Sequence, residues 1–535
     1  MLGYTQLTHD GYLKGTLTTD GARLFFNEYL GDQWVLVQTS VGGGEPVPIS
    51  TPFQNTSVLD ISPDRTELLL GSSVSAEPEG PLWTLPTLGG SPRRLGEILC
   101  HDAAWGPNGK TILYAKSQDL YVAGSDGSQS RRLVGLPGIA WWARWSPDGR
   151  KIRFTLSDPK TNAYSLWEVD ADGSQPRPLL PGWNSSPDAY SGDWTPDGRY
   201  YIFGSSRGVF SNIWAVRETS NLFRKPSLAP VQLTTGTMHL TSPLPARDGK
   251  KLFVIGTQQR GELVRYDAKS GQWVPYFSGI SAQCVSFSGD GKQLAYVTYP
   301  EGSLWRSGSD GSERIQLTFP PLQAFLPYWS PDGKQIAFMG LAPDHHWHIF
   351  LVSPEGGSPQ QLTSGDRDQG DPAWSPDGNS LAYGESPGPT QAGLMRVLNL
   401  QTHQVSKLPG SEDIWAPRWS PNGRYIAAVK GFNENLMLFD FTTQKWELLA
   451  TLNTGFIMWS SDSETLYFDT TLEKDAAFYR LRVRDRKLER LVSLKSIRRV
   501  VWPIGPWSGL TPDNSPLVLR DIGAQEIYAL DWEAP

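Results

Sequence analysis

The chain has 535 residues, several times what one hydrophobic core organises, so more than one domain is expected. Its 54 Gly, 42 Pro and 22 Trp, with aromatics at 11%, suit many short strands joined by tight turns and disfavour a helical fold. The formal charge of -7, with basic residues only in short pairs such as Arg131–Arg132 and Arg498–Arg499, argues against direct nucleic-acid binding, and no apolar run approaches the roughly 18 residues of a membrane helix.

In chain order the first element is YTQLT, Tyr4 to Thr8, which reads as an outermost strand with no sheet before it. One phrase then recurs: WSPDGRKIRF at Trp145, WTPDGRYYIF at Trp194, WSPDGKQIAF at Trp329, WSPDGNSLAY at Trp374 and WSPNGRYIAA at Trp419. With its weaker copies it places an acidic residue or Asn at Asp20, Asp64, Asn108, Asp148, Asp197, Asp248, Asp290, Asp332, Asp377, Asn422, Asp462 and Asp513, spaced by 40 to 51 residues. That period belongs to the blades of a β-propeller. Pro and Gly in Ser-Pro-Asp-Gly supply the backbone angles of a tight hairpin. An apolar run, a second run such as HIFLVS or LMLFDF, and a DGS or GGS turn with a last short strand follow it. Each repeat is thus four strands, here a to d outward from the axis, with the Trp on strand a packed between blades.

The fold expected is all-β: twelve four-stranded blades as two six-bladed propellers, the alternative being one twelve-bladed ring. The chain ends at EIYALDW, a third strand without a fourth, and QWVPYF, Gln272 to Phe277, is a fourth strand in the middle. The expected pairing is therefore an exchange, Tyr4–Thr8 on residues 263 to 267 and Gln272–Phe277 on residues 526 to 531. It divides the chain into residues 1–271 and 272–535.

The turn motifs resemble TolB-type propeller repeats, whose hallmark is a W-S-P-D-G-K/R-x-I-A-F hairpin followed by a DGG turn and an L-T strand. Segments such as YTQLTHDG, GPLWTLPTLGGSPRRLG, RGELVRYDAKSGQWVPY and QEIYALDWEAP are similar to the carboxy-terminal propeller region of bacterial winged helix-turn-helix transcriptional regulators. That resemblance implies a sensor or protein-binding role, a DNA-binding domain upstream that these residues do not include, and a periplasmic setting if a membrane helix precedes the repeats, a cytoplasmic one otherwise. A stand-alone periplasmic scaffold like TolB is the alternative.

Catalysis is not expected. After twelve blades no block of the chain remains for a hydrolase domain. A channel-site glycan or peptide hydrolase would need paired carboxylates, whereas most Asp and Glu here serve turns. No cofactor is expected; His345, His346 and His348 form the one metal-like segment, read as a hairpin rather than a ligand set. Cys100 and Cys284 occupy non-equivalent repeat positions and read as buried thiols. Binding is expected at the channel mouth, where the loops entering strand a converge. They present His101, Asp102, Trp141, Trp142, Arg144 and Asp193 in the first half, and Phe325, Tyr328, Asp371, Trp415 and Arg418 in the second. Aromatics beside Arg and Asp suit a protein or peptide partner, with a small ligand as the alternative.

Overall fold

The computed structural model describes residues 3–532 apart from 31–32, 74–78, 159–162, 184–188, 208–209, 219–228, 278–279, 343–345, 387–392, 432–433, 471–475 and 502–504. Among the described residues there is no helix, and the strands form twelve four-stranded antiparallel sheets. The repeated turn explains itself at Ser146–Gly149. The Ser146 hydroxyl donates to Asp148 at 2.6 Å and accepts from the Lys151 N–H at 3.0 Å, Asp148 also accepts from the Arg150 N–H, and Gly149 takes φ +69°. Ser, Asp and Gly are thus each required, and the hydroxyl and amide donors hold the Asp148 carboxyl below its usual range. The Trp ahead of the turn ties blades together. In the second half Trp329, Trp374 and Trp459 donate their indole N–H to the carbonyls of Ser286, Tyr328 and Arg418, each on the preceding blade.

The sheets fall into two units, residues 1–258 with 523–535, and residues 259–522. In unit 1, blades 1 to 5 run in chain order between residues 14 and 232. Blade 6 is assembled from His239–Pro245, Lys251–Gln258, Ala524–Asp531 and Tyr4–Gln6. Leu17, Leu24 and Phe26 of blade 1 pack against Phe253, Ile255 and Ile527 of blade 6, so the first sheet meets the last. In unit 2, blades 7 to 11 lie between residues 282 and 493, and blade 12 combines Ser508–Leu510, Pro516–Asp521, Gly261–Asp267 and Gln272–Pro275. Leu263, Leu517 and Leu519 of blade 12 share a core with Cys284 and Ala295 of blade 7, while Val264 and Val518 pack on Leu494 and Ile497.

The exchange differs from the one expected. Tyr4 pairs with Leu530 and Gln6 with Tyr528, while Val264 pairs with Pro275 and Asp267 with Gln272. The hairpin 267–272 stays local because Asp267 caps its turn through Ser270 and Lys269, and Gly271 adopts φ +68°. Closing four residues costs far less chain entropy than reaching across the whole sequence. What is exchanged is strand c. Between Gln258 and Ala524, which pair with each other, the b–c turn of blade 6 is opened and the whole of unit 2 is inserted. The division therefore falls at 258/259 and 522/523, not at 271/272.

Seven innermost strands share one irregularity. The register slips between residues 141/144, 190/193, 241/244, 283/286, 325/328, 370/373 and 415/418, and each slip contains one residue at positive φ: Trp142, Ser191, Ser242, Cys284, Leu326, Asp371 and Ala416. A bulge turns the next side chains out of the regular alternation. Here it aims the residue just before the motif's aromatic at the axis.

Candidate functional site

In unit 2 the bulges deliver Ser286, Tyr328, Ala373 and Arg418 in this way, and Met458 and Gly509 hold the equivalent positions on the regular innermost strands of blades 11 and 12. Arg418 is 7% exposed, and it is fully occupied: Nη2 lies 2.7 Å from Asp371 Oδ1, Nε donates to the Ile457 carbonyl at 3.0 Å, and Nη1 to the Pro417 carbonyl at 2.7 Å. Its guanidinium sits over the Tyr328 ring, 4.9 Å from the centroid. Burial works against the Arg418 charge, but Asp371 and Tyr328 more than offset it and the guanidinium is held protonated; burial pushes the Tyr328 hydroxyl up. Where Met458, Gly509 and Ser286 face the axis on neighbouring blades, no bulky side chain among the described residues fills it. An open pocket of about 1030 Å³ results, solvent included, walled by Phe287, Phe456, Trp459, Trp507 and Leu510 with Tyr328 and Ile457 beneath. Behind its wall the Ser508 hydroxyl donates to Asp469 Oδ1 at 2.7 Å, and Arg499 pairs with Asp469 Oδ2 at 2.6 Å.

Unit 1 fills the same position with charge. Arg144 donates to the carbonyls of Ala143 and Leu59, both at 2.9 Å, and interacts electrostatically with Asp60, Asp102 and Asp193. Each carboxylate is used by the backbone. Asp60 accepts from the Trp105 N–H at 2.8 Å, Asp102 from the Ala143 N–H inside the neighbouring bulge at 2.8 Å, and Asp193 from the Trp194 N–H at 2.7 Å. Burial raises all three carboxyls, with Arg144 opposing, and Asp193 is pushed up to about 6. This is a self-contained structural plug for the axis, with the acids as its spacers.

The expected residues thus separate. Phe325, at 1% exposure, and Asp102, at 4%, are interior, and Arg144, Asp193, Tyr328, Asp371 and Arg418 line the two axes; none of these seven forms an exposed mouth. For Arg144, Asp193, Tyr328 and Arg418 the cause is the bulge, which turns inward side chains that a regular strand would leave at the loop end, whereas Asp102 lies on a regular strand and is drawn in by the Ala143 N–H. His101, Trp141 and Trp142 do form a cluster at that end, with ring centroids 4.5 and 6.3 Å apart, and His101 Nε2 meets the Ala140 carbonyl at 2.9 Å. Trp415 is 39% exposed, its indole donating to the Gly431 carbonyl. His346 meets Asp368 at 3.3 Å and the fully buried His348 meets Gln369 at 3.1 Å, so each anchors the b–c hairpin of blade 8 to the following loop; His345 lies outside the described residues. Among the described residues no three His, Cys, Asp or Glu side chains are grouped to hold a metal. Sequence reasoning missed Asp60 and the pocket at the opposite, turn-side mouth. The signal was available four residues before each turn Asp or Asn, where Met458, Gly509 and Ser286 are smaller or softer than Arg144, Tyr328 and Arg418.

Sheets of four antiparallel strands whose inner strands surround an axis define a β-propeller protein. Residues 281–502 match the family described as TolB beta propeller domain. An uncharacterized protein of Agrobacterium fabrum is 26% identical over 297 residues, covering 53% of this chain and 83% of that protein. The uncharacterized peptidase YuxL of Bacillus subtilis is 25% identical over 183 residues, 26% of this chain and 28% of its own length. Among solved structures, the putative TolB from Agrobacterium tumefaciens aligns with a TM-score of 0.41 at 17% identity, covering 50% of this chain and 99% of that one.

Proposed function

We propose that the chain is a non-catalytic binding module that takes up a side chain of a protein or peptide partner, or a small ligand of like shape, at the turn-side pocket of unit 2. The observation that supports this reading is the combination of an unfilled axis and an aromatic wall over a charge already neutralised, the Asp371–Arg418 pair. A neutral group with an apolar face gains most there, because aromatic walls offer large area without a desolvation cost. The polar groups nearby are committed: Ser508 donates to Asp469, and Asp469 is paired with Arg499, which favours holding over turnover. The setting implied by the sequence resemblance is the sensor part of a winged helix-turn-helix regulator, with a TolB-like scaffold as the alternative; an in-frame winged helix encoded upstream supports the first and a signal peptide the second.

The test is a displayed-peptide and small-molecule selection on the whole chain, counter-screened with Met458→Trp, which fills the pocket. Ligands that bind the parent at least tenfold more tightly than the filled variant, while both melt at the same temperature, support the reading. Ligands indifferent to Met458→Trp, or turnover of a bound peptide or glycan, overturn it.

A further inference from the structure

Where the amino-terminal segment meets the closing blade of unit 1, four charged side chains converge. Lys14, whose side chain is fully buried, places Nζ 2.5 Å from Asp10 Oδ1, 3.2 Å from Glu28 Oε1 and 3.9 Å from Glu526 Oε2. They come from four different pieces of chain: the segment before blade 1, its strands a and b, and strand c of blade 6, which returns from the inserted unit. Glu526 is the pivot. Its carboxylate accepts from the Gly11 N–H at 2.8 Å and from the Thr8 hydroxyl at 2.5 Å, and that hydroxyl in turn accepts from the Ile527 N–H at 3.0 Å. Gln525 accepts from the Lys14 N–H at 2.7 Å. Thus residues 8 to 14 are fastened to strand c beyond the three-residue ladder of Tyr4–Gln6.

The charges do not balance. Three carboxylates surround one ammonium, Glu28 is 3% exposed, and Asp10 Oδ2 meets no hydrogen-bond donor. Phe26 lies beneath the ammonium at 5.9 Å; the other titratable groups on these elements include the exposed His9 and Tyr12 beside Asp10, and Tyr528, two residues along the strand from Glu526. Burying a third carboxylate beside one counter-charge is unfavourable unless a proton stays with the cluster.

We propose that Asp10, Lys14, Glu28 and Glu526 form a pH-sensitive latch on the closing blade of unit 1, engaged while one carboxylate holds a proton and loosened when all three are ionised. Burial is the larger cause and Asp10 the lesser that raise the Glu28 carboxyl, with Lys14 opposing, to about 7. A carboxyl raised in the closed form favours closure below its ordinary range, near 4.5, and that contribution is lost as pH rises through about 7. Between pH 6 and pH 8.5 the closed state then weakens about tenfold against opening.

Hydrogen exchange on the full chain, corrected for the intrinsic rate at each pH, reads the latch at residues 5 to 8 and at 526 to 530. The expected result is about a tenfold loss of protection between pH 6 and pH 8.5, with Gln272–Pro275 of unit 2 unchanged. Glu28→Gln, which is neutral at both, removes the pH dependence, and Asp10→Asn shifts its midpoint downward. Protection of the parent that does not change with pH, or a loss that persists in both variants, overturns the proposal.

Discussion

If unit 2 is an insertion in a hairpin, replacing residues 259–523 by Asn-Gly should leave a folded unit 1. Gln258 and Ala524 are direct partners in the ladder, and a two-residue Asn-Gly turn is the connection such partners favour. The magnitude follows from the loop. Were residues 259–522 a flexible chain, lengthening a two-residue turn to that size would take about seven doublings at about 0.6 kcal/mol each, a cost of about 4 kcal/mol to unit 1. In the native protein unit 2 bears that cost itself, because Gly261 and Asp521 pair where it starts and stops. The Asn-Gly variant should therefore match the native unit 1 to within about 1 kcal/mol. Unfolding unit 2 in the whole chain should instead destabilise unit 1 by about 4 kcal/mol. Phe338→Ala and Phe468→Ala, both emptying fully buried positions at about 3–5 kcal/mol each, provide that perturbation. Denaturant titration followed by hydrogen exchange, resolved by unit, gives the three stabilities. An Asn-Gly variant that fails to fold, or a unit 1 indifferent to unfolding of unit 2, refutes the insertion argument.

Asp371→Asn leaves the buried Arg418 charge unpaired and should cost about 3–5 kcal/mol in unit 2, since Asn tolerates the same positive φ; a change below about 1 kcal/mol in urea denaturation would mean the pair is solvated. The Asp193 carboxyl, raised by burial, should titrate near pH 6 by carbon NMR. Its contribution to stability is present below the ordinary carboxylate range and lost as pH rises through about 6, so Asp193→Asn should flatten the stability of unit 1 between pH 4 and 7. Burial pushes both thiols up, and Cys100 and Cys284 should be silent to an aromatic disulfide reagent until guanidinium is added, when two should react; a fast native thiol would contradict their burial.

The blades were legible because each Ser-Pro-Asp-Gly turn encodes its own geometry within five residues. The count of twelve repeats was legible for the same reason, but the strands at Tyr4 and Gln272 pair opposite to the expected exchange and gave no sound ground for dividing them. Which strand crosses was not legible either, since Gly261–Asp267 and Ala524–Asp531 carry the same alternation and either could complete either blade. The decision lies in the capped Asp267–Gly271 turn, a local feature whose weight against a distant pairing is an entropy difference that no pattern displays. The axial residues were half legible. Arg144, Asp193, Tyr328 and Arg418 were singled out by type, but their inward aim depends on a bulge at Trp142, Ser191, Leu326 and Ala416, residues with no shared chemistry. Asp60 was passed over because its repeat lacks the aromatic.

The nesting of one propeller inside a hairpin of the other also fixes an order in time. During synthesis the Thr8 segment emerges 518 positions ahead of its partner Glu526, whereas the Glu262–Arg520 contact of the inserted unit spans 258. At about 5–20 residues per second, the outer propeller keeps a raw sheet edge for about 13–53 s while the inner one is being made and closed. A ribosome-bound chain of this kind presents that edge to every neighbouring nascent chain, so expression yield should depend on holdase chaperones acting on residues 239–258 rather than on any property of the finished fold.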